Sequence, residues 1–284
     1  MLFILLAVCC SVLVSVLLKL ARRHGIDVGQ AIAWNYVATS ALTAWVFHPS
    51  LDALARPDAP WLGFVGLGLL LPVIFLALAA SVRHAGIVRS DAAQRLSLLV
   101  SLLAAFLLFG EAVNAVKLAG IGLGLVALAC MVWRGRTDAV EGPAGWLWPL
   151  TVFVGFAAID ILFKEVARAG TPFAASLQAM FALALLVAFA IQLGRRATGR
   201  TRFTVRDALA GLLLGLANFG NIVFYVRAHQ ALAERPSLVF AAMNLGVVAL
   251  GALVGTLVFR EKLSRLNLAG VALAVAAIAL ATHG

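Results

Sequence analysis

Polar side chains recur at helical spacing within long apolar runs of the sequence. Asn218, Asn221 and Tyr225 follow the spacing i, i+3, i+7, which places the three side chains on one face of a helix. A polar group in lipid is costly unless it faces protein or water. This stripe is therefore a candidate substrate-binding surface on a translocation path, and hydrogen bonds that only hold the helices together are the alternative.

A second polar group opens another apolar run. Asp91, Gln94 and Arg95 share one helix face, and pairing of Asp91 with Arg95 would lower the cost of placing either residue in a membrane. We predict a coupling or gating role for this charged pair, with a structural pair near the membrane edge as the alternative. Gln94 matches Asn244 at the offset of an internal repeat, and amides suit a zwitterionic substrate because they both donate and accept hydrogen bonds. Asn35, on a polar stripe of the second run, is a further candidate substrate contact.

Asp160 is the only acid near the middle of a predicted membrane span, and Lys164 follows on the same helix face. Apolar surroundings disfavour the ionised carboxyl group, so Asp160 is the best sequence candidate for loading and releasing a coupling proton. The ammonium group of Lys164 favours the ionised acid instead. A fixed ion pair is therefore the alternative interpretation.

The sequence lacks the arrangements typical of an intramembrane enzyme or a metal site. Its five His residues lie at span ends without Cys, Asp or Glu at metal-ligand spacing, and its three Cys residues lie within apolar runs. It also has no Gly-rich phosphate-binding loop followed by Lys and Ser or Thr, which argues against pumping driven directly by a nucleotide. We predict a protein that is not an enzyme and holds no metal or cofactor, with proton coupling left open.

The composition indicates a membrane environment for these residues. Of the 284 residues, 63% are hydrophobic and only 12% are charged, whereas a soluble domain carries roughly 25% charged residues. The net charge of +10 resides in short clusters between apolar runs, which is typical of a topology signal and not of a nucleic-acid-binding surface. The chain is therefore predicted to be an all-α integral membrane protein that does not bind nucleic acid.

Apolar runs of membrane-spanning length predict ten transmembrane helices joined by short connections. These connections leave no room for a domain outside the membrane. The predicted spans are residues 2–20, 30–47, 61–82, 88–109, 115–133, 146–167, 173–193, 206–227, 236–259 and 265–282.

An internal repeat relates the two halves of the sequence. Phe-Gly-Glu at 109–111 and Leu-Ala-Gly at 118–120 recur, with the same spacing, as Phe-Arg-Glu at 259–261 and Leu-Ala-Gly at 268–270. Each half then holds five spans, and an odd number of spans places the second half upside down relative to the first. The sequence thus predicts ten transmembrane helices as two inverted five-helix repeats.

These motifs, with the glycines Gly120 and Gly270 of the final helix in each half, resemble the drug/metabolite transporter superfamily. The resemblance is specifically to its ten-helix EamA-type branch with two EamA repeats, which here correspond to residues 1–137 and 146–284. It implies alternating access through a central cavity and small metabolites as cargo. Some members of the superfamily move lipid-linked cargo instead.

Taken together, the residues and the resemblance predict a secondary transporter in a bacterial inner membrane. Its expected cargo is an amino acid or a related small metabolite that is exported from the cell. A flippase of the same fold, acting on a lipid-linked substrate, is the alternative, and an intramembrane enzyme is a more remote one. Membrane lipid and the small-molecule substrate are the expected partners, and a homodimer is left open.

The distribution of basic residues predicts the orientation of the chain. Odd-numbered connections between spans hold 15 of the 22 Lys and Arg residues, against six in even-numbered connections. The positive-inside rule then places the odd connections in the cytoplasm and both termini outside. The family resemblance implies the opposite, because ten-helix relatives usually have both termini inside.

Overall fold

The computed structural model describes residues 1–109, 115–132, 144–232 and 236–283. These residues form α-helices joined by short connections, and no strand occurs among them. Glu111 of the first repeat motif and residues 137–143 at the predicted boundary between the repeats lie outside the described residues. The helices are α1 (Leu2–Arg23), α2 (Val28–Phe47), α3 (Trp61–Phe109), α4 (Ala115–Val132), α5 (Ala144–Arg168), α6 (Phe173–Ala197), α7 (Val205–Ala231), α8 (Pro236–Leu253) and α9 (Arg265–His283).

Helix α3 contains two of the predicted spans, 61–82 and 88–109. Gly86 separates them, because its φ of 89° and ψ of 172° lie outside the helical region. A positive φ of this kind is unstrained only for glycine, which has no Cβ. The break that the sequence predicts as a short loop is thus a single glycine between two helices.

Glu261 holds the start of the helix that follows Gly86. Its carboxylate accepts hydrogen bonds from the backbone N–H of Ile87 at 2.7 Å and of Val88 at 3.2 Å. Acidic groups at a helix N-terminus satisfy orphan N–H donors and complement the helix dipole. A Cβ at Gly86 would lie 2.6 Å from Glu261 Oε2, so a larger residue here would displace the capping carboxylate as well as strain the backbone.

Five helices of the described residues are long and apolar enough to cross a membrane, as judged by length and composition. Further apolar helices are shorter, and α8 continues into a π-helical segment at Val254–Val258. The described chain therefore has the architecture of a helical membrane protein, as predicted. The five long stretches are Leu2–Arg23, Trp61–Val100, Gly145–Arg168, Phe173–Ala197 and Val205–Ala231.

The chain divides into two compact units, and each contains segments from both halves of the sequence. Unit 1 comprises Met1–Val16, Ala77–Ala157 and Gly220–Gly284. Unit 2 comprises Leu17–Leu76 and Ala158–Phe219. The first and second sequence repeats stay a prediction, because these units are defined by packing and not by internal similarity.

Unit 1 is held by close helix packing and by buried polar bonds. Helices α4 and α9 pack along one another, and an apolar cluster joins them to the later part of α3 and the start of α5. Asn267 adds a polar link, since it accepts a hydrogen bond from Arg89 at 2.9 Å and donates to the Cys130 carbonyl at 3.0 Å. Because lipid is itself apolar, such packing and hydrogen bonding stabilise helix association in membranes.

Unit 2 is organised around α2 and α6, which pack side by side. The Tyr36 ring of α2 lies 6.2 Å from Phe181 of α6 and 6.4 Å from Phe75 of α3, measured between ring centroids. Gln178 on α6 donates a hydrogen bond to Ser40 on α2 at 2.9 Å. Aromatic pairs at these distances stabilise packing beyond their buried area.

Candidate functional site

Unit 1 contains polar side chains from three helices that lie together, here named the Asp91 cluster. Ser11 and Ser15 come from α1, Asp91 and Arg95 from α3, and Asn244 from α8. The Gly86 break places Asp91 and Arg95 on the first two turns of a new helix. The surrounding helices are apolar, so the cluster concentrates charge and hydrogen-bonding groups in a place where they are costly.

Asp91 is only 3% exposed. The Ser15 hydroxyl donates a hydrogen bond of 2.5 Å to its Oδ1, while Oδ2 has no hydrogen-bond partner among the described residues. The carboxylate lies against α8 at Gly251, where a Cβ would approach Oδ2 to 2.8 Å. A glycine at this position thus allows the acid to approach the backbone of α8.

Arg95 connects the cluster to α1 and α8. Its guanidinium donates to the Ser11 hydroxyl at 2.5 Å and to Asn244 Oδ1 at 3.4 Å. Gln94 is partly exposed, and its backbone carbonyl accepts a hydrogen bond from Ser97. Asn244, which the repeat matches with Gln94, therefore bonds to the next residue, Arg95. A role of Gln94 and Asn244 in substrate binding stays a prediction.

The serines of α1 were not among the predicted site residues. Ser11 and Ser15 are four residues apart and so share a helix face, which is a signal that the sequence contains. Their partners on α3 are separated from them by more than 70 positions in the chain, and a helical period carries no information about such pairs. The structure supplies that pairing.

The polar stripe of α7 is distributed over both units. In unit 2, Asn218 donates a hydrogen bond of 3.2 Å to Asn35 Oδ1, and Asn35 is fully buried. In unit 1, Asn221 Oδ1 is buried without a hydrogen-bond partner among the described residues, and the Tyr225 ring meets the His229 ring edge-on at 4.6 Å. Binding of substrate by these four predicted residues, Asn35, Asn218, Asn221 and Tyr225, stays a prediction.

Asp160 and Lys164 lie in unit 2 on the later part of α5. Both side chains are partly exposed, and both have interaction partners. They share a helix face, as their spacing predicts. Neither belongs to the Asp91 cluster, which lies in unit 1.

A second polar group, which the sequence analysis did not identify, joins the start of α2 to the connection between α6 and α7 in unit 2. We name it the Asp27 network, after its central carboxylate. Arg195 donates to Asp27 Oδ1 and Oδ2, both at 3.0 Å, and the Thr201 hydroxyl donates to Oδ2 at 2.7 Å. The backbone N–H groups of Gly29 and Gln30 also donate to Oδ1, so Asp27 is the N-cap of α2.

The Asp27 network extends beyond the ion pair. Gln30 donates through its side-chain nitrogen to the Thr201 hydroxyl at 2.7 Å, and the backbone N–H of Asp27 donates to Asp207 at 2.8 Å. Burial alone would raise the pKa of Asp27, but the hydrogen bonds from Arg195 and Thr201 and the charge of Arg195 outweigh it. The pKa of Asp27 therefore lies below its usual range.

The described residues contain no group of three or more His, Cys, Asp or Glu side chains placed to hold a metal ion. The cysteines Cys9, Cys10 and Cys130 are free thiols. The chemistry within reach of the Asp91 cluster is therefore proton exchange and the binding of polar or charged groups by a carboxylate, a guanidinium, hydroxyls and an amide.

Comparison with known proteins agrees with this architecture. Over 283 residues, the chain is 41% identical to an uncharacterized protein of Haemophilus influenzae, a match that covers 97% of this chain and 95% of that protein. A protein of known crystal structure is similar over 99% of this chain and 96% of its own, with a TM-score of 0.59 and 18% identity, which shows a shared fold alone. Residues 1–133 match the EamA-like transporter family. The chain thus belongs to the EamA-like transporters, the branch of the drug/metabolite transporter superfamily that its repeat motifs resemble.

Proposed function

We propose that the chain is a secondary transporter that exports a small metabolite across a bacterial inner membrane by alternating access. Membership of a transporter family and the long apolar helices support movement of a solute across a membrane. The observation that carries the proposal is the Asp91 cluster, a group of buried and partly buried charged and polar side chains within apolar helices. Ionisable residues at membrane depth are costly and are found chiefly where a substrate or an ion must pass.

The composition of the Asp91 cluster favours a zwitterionic cargo, such as an amino acid. A zwitterion carries an ammonium and a carboxylate, which complement the side chains of Asp91 and Arg95 respectively. Asn244 adds an amide that both donates and accepts hydrogen bonds. A sugar or a nucleoside would have no charge to match this pair.

The proposed arrangement is ten transmembrane helices in two inverted repeats, residues 1–137 and 146–284. The break of α3 at Gly86 supports it, because each helix on either side of the break corresponds to one predicted span. Inverted repeats of this kind provide two equivalent shapes, and their exchange opens a binding site alternately to the two sides of the membrane.

A thermal-shift screen of the purified protein tests the proposed cargo class. The compounds are amino acids, nucleosides, sugars, quaternary amines and polyprenyl phosphates. A ligand that binds only the folded state stabilises it, by about 2.7 kcal/mol when its concentration is roughly 100 times its Kd. A selective shift by amino acids supports the proposal, whereas a response to polyprenyl phosphates alone would replace it with the flippase.

Transport of the amino acid that gives the largest shift is then measured in proteoliposomes. Asn244→Leu should lower the transport rate by about tenfold or more, since it removes an acceptor from the partly buried guanidinium of Arg95, a loss of roughly 1–3 kcal/mol. Arg200→Gln is the matched control, because Arg200 is exposed in the connection between α6 and α7. If both variants lose transport rate equally, or if neither variant loses it, the cluster has no specific role in cargo binding.

A further inference from the structure

The two acids in this region of unit 1 differ in how their oxygens are satisfied. Both oxygens of Glu261 accept hydrogen bonds from backbone N–H groups, those of Ile87 and Val88. Among the described residues, Asp91 receives one donor, the Ser15 hydroxyl, on Oδ1. An ionised carboxylate has room for about four hydrogen bonds, and a buried acceptor without a donor is expensive. Asp91 therefore has unused acceptor capacity on Oδ2, at a position that is 3% exposed.

The groups around Asp91 come from three helices. Ser15 approaches from α1 and Gly251 from α8, while Arg95 follows one turn later on α3 itself. Arg95 and Glu261 are the charged groups whose fields act on Asp91. The guanidinium of Arg95 also donates to Ser11 and Asn244, so its charge is shared with neutral acceptors on α1 and α8.

Helix α8 closes one side of Oδ2. At Gly251 a single added carbon would lie 2.8 Å from this oxygen, closer than ordinary packing allows. A proton binds Oδ2 without any change in this contact, because it forms a covalent O–H bond with the oxygen itself.

We propose that Asp91 is the residue that binds the coupling proton, on Oδ2, in place of the sequence candidate Asp160. A hydronium ion from the aqueous side transfers its proton to Oδ2 and leaves as water, so that the carboxyl group becomes neutral while Ser15 keeps its bond to Oδ1. The formal charge of Asp91 and Arg95 together changes from zero to +1. Since the contacts of this pair lie on α1 and α8, protonation changes interactions among three helices at once.

The assignment rests on the proposed transport function only in so far as the proton is said to be coupled to transport. Proton binding itself can be measured without a cargo. Infrared difference spectra of the full chain in lipid nanodiscs, recorded between acidic and alkaline pH, report the C=O stretching band of a protonated carboxyl group. We expect such a band in the wild-type protein and its loss in Asp91→Asn. Asp27→Asn and Asp160→Asn serve as matched acid-to-amide variants, and both should retain the band.

The assignment is overturned if the band persists in Asp91→Asn, and its loss in Asp160→Asn would then identify Asp160 as the proton-binding residue. Ser15→Ala covers the case in which Asp91→Asn does not fold. It keeps the carboxyl group but removes the donor on Oδ1, so the band should shift in frequency, and an unchanged band would again exclude Asp91. If amino acids fail to bind or to be transported while Asp91 still titrates, the proposed cargo is wrong and the proton site stands.

Discussion

The carboxylates of Asp27 and Asp91 differ in the hydrogen-bond donors that surround them. Asp27, in unit 2, accepts hydrogen bonds from Arg195, Thr201 and two backbone N–H groups. Asp91, in unit 1, accepts one hydrogen bond from the part of the chain that the structure describes, and its donor is Ser15. Hydrogen-bond donors around a carboxylate favour its ionised form and hold it in place. A carboxylate with few donors is more easily neutralised by a proton. On the proposal that Asp91 binds a proton, this difference separates a structural acid from a functional one.

The position of each acid in its helix agrees with this interpretation. Asp27 is the N-cap of α2, where a carboxylate satisfies backbone donors that the helix leaves open. At the break of α3 that capping role belongs to Glu261, so Asp91 is not needed for it. Asp91 lies one turn further along this helix and does not cap it.

The largest expected effect is the loss of stability in Asp27→Asn. The substitution leaves the partly buried guanidinium of Arg195 without its ionic partner, and charge-assisted bonds of this kind contribute about 1.5–3 kcal/mol. Because both side chains retain some exposure, solvent screening places the expected loss in the lower half of that range. Unfolding of the purified protein, followed by heat or by denaturant in detergent, measures it.

Asp58→Asn is the matched control for this comparison. Asp58 forms an ion pair of 2.7 Å with Arg56, but both side chains are more than half exposed, and their removal should change the stability very little. Equal losses in Asp27→Asn and Asp58→Asn would show that the Asp27 network does not hold unit 2 together.

The second expected effect is that the contribution of Asp27 to the free energy of unfolding depends on pH. The folded pKa of Asp27 lies below the value of about 3.9 in an unfolded chain, so the ionised form is favoured by folding. The stability difference between the wild type and Asp27→Asn should therefore be constant from neutral pH down to about pH 4. It should shrink at lower pH, as protonation of Asp27 approaches completion. A difference that grows on acidification would contradict the lowered pKa.

The sequence predicted the elements well because membrane helices depend on local patterns. Each predicted span overlaps a helix or a part of one, and the spacing of Asp91 and Arg95 placed them on consecutive turns of α3. The break between the third and fourth spans was expected as a loop. It is a single residue, because Gly86 can adopt a positive φ and Glu261 caps the next helix.

The partners of these residues could not be predicted in the same way. Arg195 and Asp27 are 168 positions apart, and Asn244 and Arg95 are 149 apart. Helical periodicity determines which side chains share a face, but it says nothing about which helix packs against that face. Asp160 appeared to be the best acid for a proton because depth within a span was the available criterion. The donors around Asp91 depend on tertiary contacts that the sequence does not show, and the proposal that Asp91 binds the proton rests on them.

The smallest expected effect is that of Asp91→Asn on stability, and it tests the comparison most directly. Asparagine has nearly the same shape as a protonated aspartic acid and keeps an oxygen that can accept the hydrogen bond from Ser15. If Asp91 carries a proton, the substitution removes no charge and should change the unfolding free energy by less than about 1 kcal/mol. The measurement is the same unfolding experiment, carried out beside Asp27→Asn at a pH where the infrared band of the protonated carboxyl is present. A loss as large as that of Asp27→Asn would mean that Asp91 is an anion held in a fixed pair with Arg95, and the distinction between the two acids would fail.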